Sequence, residues 1–146
     1  MKPFIYILLI SAFFVHCKTH LHIPAEYKGD QVIFGKGGGF TGRVNAYSLL
    51  DNGNLFSNPG DSLGVKYIGR IKQSKADQIF KTYTDLGLDK QKMNSPGNMY
   101  SFIEMHINSE KNKVQWGSNR ENPTPEMKQF FTNLMHIVKT MEKSNI

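Results

Sequence analysis

The chain has 146 residues, with 18 lysines and arginines against 12 aspartates and glutamates, a net charge of +6. That length suits one domain with a real core. A single cysteine excludes an internal disulfide and a cysteine metal cluster, and the scattered cations form none of the runs that mark a nucleic-acid binder.

Behind the basic start Met1-Lys2, residues 4–15 (FIYILLISAFFV) are almost unbroken apolar sequence. About twelve such residues fall short of the roughly 20 a membrane span takes and fit the core of a signal peptide. Cys17 follows directly, which resembles a bacterial lipoprotein signal: residues 1–16 are removed and Cys17 is lipidated. Phe14-Val15-His16 departs from the usual box, which opens on leucine and places a small residue before the cysteine. An ordinary secretory signal and an uncleaved anchor are the alternatives. Cleavage removes Lys2, leaving 17 basic residues (18 less one) against 12 acidic, a net +5. The charge reads as a solvated surface, or as attraction to anionic lipid or polysaccharide.

Residues 17–30 are polar, hold a proline and a glycine, and read as a tether; His20 and His22 within it make too small a set for a metal. The domain is expected over 31–143. Val32-Ile33-Phe34 is a short strand, and Phe40 to Leu50 is rich in strand formers. Asn52-Gly53 between apolar residues marks a tight hairpin turn, because both residues accept positive φ. Strands follow at 54–57 and 65–71, separated by the loop Asn58-Pro59-Gly60-Asp61. Ser74 is placed to cap a helix with the stripe Ile79, Phe80, Tyr83 and Leu86, ended by Gly87 with Leu88 folding back. A polar loop covers 89–98. Met99 to Asn108 alternates as a strand, with Tyr100, Phe102, Glu104 and His106 on one face; Val114-Gln115-Trp116 returns beside it. Thr124-Pro125-Glu126 opens a second helix, whose buried stripe is Met127, Phe130, Phe131, Leu134, Val138 and Met141. The order ββββαββα predicts an α+β fold, a mainly antiparallel sheet with two helices on one face.

Gly37 to Val44 (GGGFTGRV) matches G-x-G-x-x-G-x-V, the glycine-loop pattern of protein kinases. The partners of that loop are missing. The next strand reads Asn45-Ala46-Tyr47-Ser48 where V-A-I-K belongs, and neither H-R-D nor D-F-G occurs. The dinucleotide version needs a helix after the glycines, and a strand follows here. No nucleotide, cofactor or nucleic acid is expected. Gly37, Gly38 and Gly39 instead serve a demanding backbone path, or let a ligand come close to the backbone.

Glu104 and His106, two apart on one strand face, form a polar edge or an acid–base or ligand-binding pair; no third ligand or nucleophile is marked beside them. Trp116 packs under a helix or stacks on a sugar. No catalytic residue and no metal site is assigned: G-x-S-x-G, H-E-x-x-H and the P-loop lysine are all absent.

The lipoprotein-like start, Phe34 to Gly42, Tyr47 to Gly53, Pro96 to Tyr100, Val114 to Gly117 and the Pro-Thr-Pro-Glu opening of the last helix together resemble small uncharacterised lipoproteins of Bacteroidota and similar bacteria. The resemblance implies an envelope location and this fold, with no activity or site residues. Lys18-Thr19-His20 lacks the acidic stretch often carried by surface-exposed lipoproteins of that group, so the expected place is the outer membrane facing the periplasm; a secreted or periplasmic soluble protein is the alternative. The leading expectation is a non-enzymatic binding or envelope-interaction domain, held to the membrane by its lipid anchor, with another envelope protein or a polysaccharide as partner. The others are a small enzyme or ligand-binding protein using the Glu104/His106 face beside the glycine loop, and an inhibitor of a protease or glycosidase presenting that loop or residues 89–98.

Overall fold

A computed structural model describes residues 21–59 and 64–144. The expected signal peptide, the lipidation site Cys17 and part of the 58–61 loop lie outside the described residues.

Seven strands form one mixed sheet: β1 (Gln31–Gly38), β2 (Val44–Leu50), β3 (Asn54–Pro59), β4 (Lys66–Arg70), β5 (Met93–Ser95), β6 (Met99–Ile107) and β7 (Glu110–Trp116). Helix α1 (Gln73–Asp85) follows β4, and α2 (Pro125–Ser144) closes the chain. In space the strands run β4-β3-β2-β1-β6-β7-β5. Every neighbouring pair is antiparallel except β5–β7. The α+β class holds, but the order is ββββαβββα. The additional strand, Met93-Asn94-Ser95, was expected to be loop. It pairs in parallel with Val114, Gln115 and Trp116, and Met93 packs against the core.

The turns follow local chemistry. Gly53 has φ 86° and donates its N–H to Leu50 O at 2.9 Å, and Asn52 Oδ1 accepts from Asn54 N, closing the predicted hairpin. The β6–β7 turn is tight, with Asn108 and Ser109 at φ 50° and 68°, so β7 starts at Glu110, ahead of the expected Val114. Helix α1 begins one residue before Ser74. Its N-cap is Lys72, which makes no side-chain cap bond, and Gln73 Nε2 instead reaches Asp51 O and Asp77 Oδ1. Gly87 ends the helix at φ 63° and Leu88 is fully buried behind it, as the sequence predicts. Thr124 Oγ1 accepts from Met127 N at 3.2 Å, the predicted cap of α2.

Register places Val32 beside Leu49 and Met105, and Phe34 beside Tyr47 and Ile103, on one sheet face. Ile79 and Tyr83 of α1 and the Met127, Phe130, Phe131, Leu134 and Val138 stripe of α2 join the same core. Each buried aliphatic or aromatic side chain contributes about 1.5–3 kcal/mol. The whole core lies between Val32 and Met141, so that part of the chain carries its own hydrophobic centre.

Part of the expected tether is bound to this domain. Pro24–Glu26 forms a 3-10 turn with Pro24 buried. Tyr27 Oη donates to Asp51 Oδ1, and Asp30 N donates to Asp51 Oδ2 at 3.0 Å. Asp30 Oδ1 in turn accepts from Asn108 N at 2.9 Å. Burial and the Asp51 carboxylate push the Tyr27 phenol up to about 12. Residues 24–30 are thus a strap laid against the Gln31 end of the sheet.

Candidate functional site

The alternation of β6 sets Tyr100, Phe102, Glu104 and His106 on the sheet face opposite the helices, because Ile103 and Met105 face the core. His106 Nε2 lies 2.8 Å from Glu104 Oε1, and Lys113 Nζ of β7 lies 3.5 Å from Glu104 Oε2. On the other side, His106 Nδ1 is 3.3 Å from Gln31 Nε2, which also reaches Pro24 O at 3.4 Å. The network assigns the ring proton to Nε2, where it is donated to Glu104; Nδ1 accepts from Gln31. Burial alone would raise the Glu104 carboxyl, but the His106 hydrogen bond and the Lys113 charge outweigh it and hold the carboxyl below its ordinary value. The predicted pair is therefore real as geometry, with both histidine nitrogens already engaged. Ser48 is fully buried and its Oγ has no hydrogen-bond partner among the described residues. It sits on β2, two strand spacings or about 10 Å from β6, which puts it out of reach as a nucleophile. Among the described residues no group of three or more His, Cys, Asp or Glu could hold a metal.

The glycines lie at the other end of β1. Gly37 is paired on both sides, with Val44 and Tyr100. Gly38 N donates to Arg43 O at 3.1 Å, Gly39 N to Asn98 O at 2.7 Å, and Gly42 N to Gly39 O at 3.1 Å. The amides that a phosphate would need at Gly38, Gly39 and Gly42 are bonded to backbone carbonyls. Gly38 has φ 99°, and a Cβ there would overlap Asn98 O; a Cβ on Gly37 would fall 2.5 Å from Tyr100 Oη, because that side chain lies over it. These two glycines let β1, its turn and the start of β6 meet closely. The run counted from Phe40 as strand is in fact turn up to Arg43, and β2 begins at Val44.

Glu104 pairs with Ile33, four residues from Gly37 along β1, or about 13 Å at the strand rise. The Glu104/His106 pair and the glycine loop are consequently not one site. Trp116 belongs to neither: its ring meets Phe131 of α2 edge-on, with centroids 5.2 Å apart. A groove of about 220 Å³ between α1 and α2, floored by Ile79, Phe130, Leu134 and Ile137, holds none of the predicted site residues.

Two residues of the loop end were not singled out by sequence. Phe40 stands at the apex of the Gly39–Gly42 turn and is fully exposed, and Met99 is largely exposed. A Cβ on Gly39 would come within 3.1 Å of Met99 Sδ, which puts Met99 beside the turn. The signal was present: a large apolar residue between glycines and Thr-Gly has no core to face. Two further loops converge here. Ser118 N donates to Ser95 O at 3.0 Å, the two serine hydroxyls are 2.6 Å apart, and Arg120 N donates to Ser118 Oγ. No protein-family model matches the chain, and no curated protein matches it in sequence. No helix among the described residues is long and apolar enough to cross a membrane.

Proposed function

We propose that this chain is an exported lipoprotein, acylated at Cys17 and held in the cell envelope, whose folded part is a non-enzymatic binding domain. It resembles the small uncharacterised lipoproteins of Bacteroidota-like bacteria, and an outer-membrane, periplasm-facing position fits that resemblance. The contact end is the cluster of the 38–43 turn with the 94–98 and 117–120 loops. The observation that carries this reading is Phe40: a fully exposed aromatic side chain on a turn whose Gly38, Gly39 and Gly42 amides are all bonded. Exposed loops that are held rigid lose little entropy on binding, which favours recognition.

The test is capture from envelope extracts with the mature chain and with Phe40→Ser. A partner lost with Phe40→Ser, at unchanged melting temperature, supports the reading; equal capture by both chains rejects it. For the tether, Cys17→Ser should release the protein from the membrane fraction, and unchanged partitioning rejects acylation. A rigid loop with an apolar tip also favours a second reading, an inhibitor that seats Phe40 in a protease or glycosidase cleft. Saturable, Phe40-dependent loss of hydrolase activity in the same extracts would select it.

A further inference from the structure

We infer that Gln31 is a proton-operated latch, holding the 24–30 strap on the sheet while His106 is neutral and releasing its Pro24 end when the imidazole is protonated. This latch depends neither on Phe40 nor on acylation of Cys17. Gln31 and His106 are direct cross-strand partners on the sheet face opposite the helices. The Gln31 amide is shared: Nε2 lies 3.3 Å from His106 Nδ1 and 3.4 Å from Pro24 O, so one NH2 group serves the ring and the strap together. Its other end is idle. Gln31 is only 7% exposed, and its Oε1 is buried without a hydrogen-bond partner among the described residues, which costs free energy.

His106 already donates from Nε2 to Glu104, so a second proton must enter at Nδ1, the nitrogen that faces Gln31. Two donors then meet. The idle Oε1 is the acceptor that the new N–H needs, and a half-turn of the amide, whose two ends are alike in size, supplies it. The same half-turn takes Nε2 from Pro24 O and sets two carbonyl oxygens against each other. Pro24 loses its side-chain hold, while Tyr27 and Asp30 keep their bonds to Asp51. Around the ring, β6 brings Glu104, and β7 brings Lys111 opposite in register and Lys113 beyond Glu104. The strap brings exposed Glu26 and Lys28, and His22 lies against the Tyr27 ring. Asp30 is engaged by Asn108 N and Asp51 by Tyr27. Glu104, held below its ordinary value, stays ionised where an imidazole takes up its proton, so Nε2 remains pinned and only Nδ1 changes role. Freed over Pro24–Glu26, the segment ahead of the domain gains three residues of reach, about 10 Å.

The test is an NMR titration from about pH 8 to about pH 5 of the isotope-labelled chain from Lys18 onward, which retains the strap and the whole core. As the His106 ring signals titrate, the Gln31 NH2 signals should shift over the same range and the Gln31–Pro24 proximity signals should vanish. Amide exchange at Glu26 and Tyr27, corrected for its intrinsic pH dependence, should rise several-fold while that of β1 stays unchanged. His106→Phe cannot take up the proton and should keep the strap docked throughout. Gln31→Leu should loosen the strap at every pH. Thermal melts of both variants, cooperative and close to the parent, exclude misfolding as the cause. A strap that stays docked while His106 titrates, or an imidazole that takes up no proton in this range, overturns the inference. Equal loosening in His106→Phe overturns it too, and places the sensor in another group such as Asp51 or His22.

Discussion

Two residue types carry the local argument, glycines and one carboxylate. Gly38 and Gly42 look alike in sequence but differ in surroundings. At Gly38, φ 99° and the Asn98 carbonyl both oppose a side chain; at Gly42, φ 61° opposes it but no atom lies within 4 Å. Gly38→Ala should therefore cost about 2–4 kcal/mol, adding strain to overlap. Gly42→Ala should cost about 1–2 kcal/mol, the left-handed penalty alone. Urea unfolding measures both, and the reverse ranking would contradict the close approach. Glu104 gives a pH prediction. Its pKa is lowered in the fold, so the folded protein holds that proton less tightly than the unfolded chain does. Its stabilisation is complete above the ordinary value of 4.5 and is lost as pH falls through the folded value. Glu104→Gln should lose about 1–2 kcal/mol at neutral pH, and the gap to the parent should close on acidification. A gap that stays constant down to about pH 3 would show that the ion-pair chain adds nothing.

At the scale of elements, those with strong local chemistry could be read from sequence. The Asn52-Gly53 turn, the Gly87 end of α1 with buried Leu88, and the Thr124-Pro125 start of α2 depend only on near neighbours. Elements fixed from a distance could not. Strand β1 runs on through Gly35 to Gly38 because Tyr100, Phe102 and Ala46 flank it in the sheet, although glycine disfavours strand on its own. Strand β5 has no apolar alternation to announce it. Asn112 shows how such distant ties work: its Nδ2 lies 2.9 Å from Tyr83 Oη, 3.2 Å from Leu88 O and 3.3 Å from Gln91 O. One amide on β7 thereby holds the end of α1. Asn112→Ala should cost about 1–3 kcal/mol by removing the one donor shared by Tyr83 Oη, Leu88 O and Gln91 O. It should speed amide exchange near residues 86–91 before exchange rises elsewhere; uniform loss of protection would argue against a local clasp. Trp116→Ala should cost about 3–5 kcal/mol through lost packing on Phe131. A stable Trp116→Ala protein that loses glycan binding would revive the sugar-stacking reading.

At the scale of the whole molecule, α1 carries the chain from the β4 edge back across one face to the β5 edge. Sequence announces the class of fold without this strand order, since nothing local marks Val32 as the neighbour of Met105, 73 positions away. The same order separates the two candidate regions: the Glu104/His106 pair and the strap occupy one end of β1, and the Phe40 tip the other. Their residues were recognisable in part, but whether they met depended on β1 lying central and antiparallel to β6. The sheet borders have a further consequence. On the outer border of β7, β5 covers only Val114 to Trp116, and the remaining stretch carries Glu110, Lys111 and Lys113. The opposite border, β4, has Lys66 and Arg70, with a register shift in its pairing to β3. Charged, short or irregular borders resist edge-to-edge strand addition. A protein gathered on a two-dimensional surface meets its own copies far more often than one in bulk solution. Were the proposed anchor to gather this domain on a membrane, these borders would let its copies crowd without polymerising into a continuous sheet.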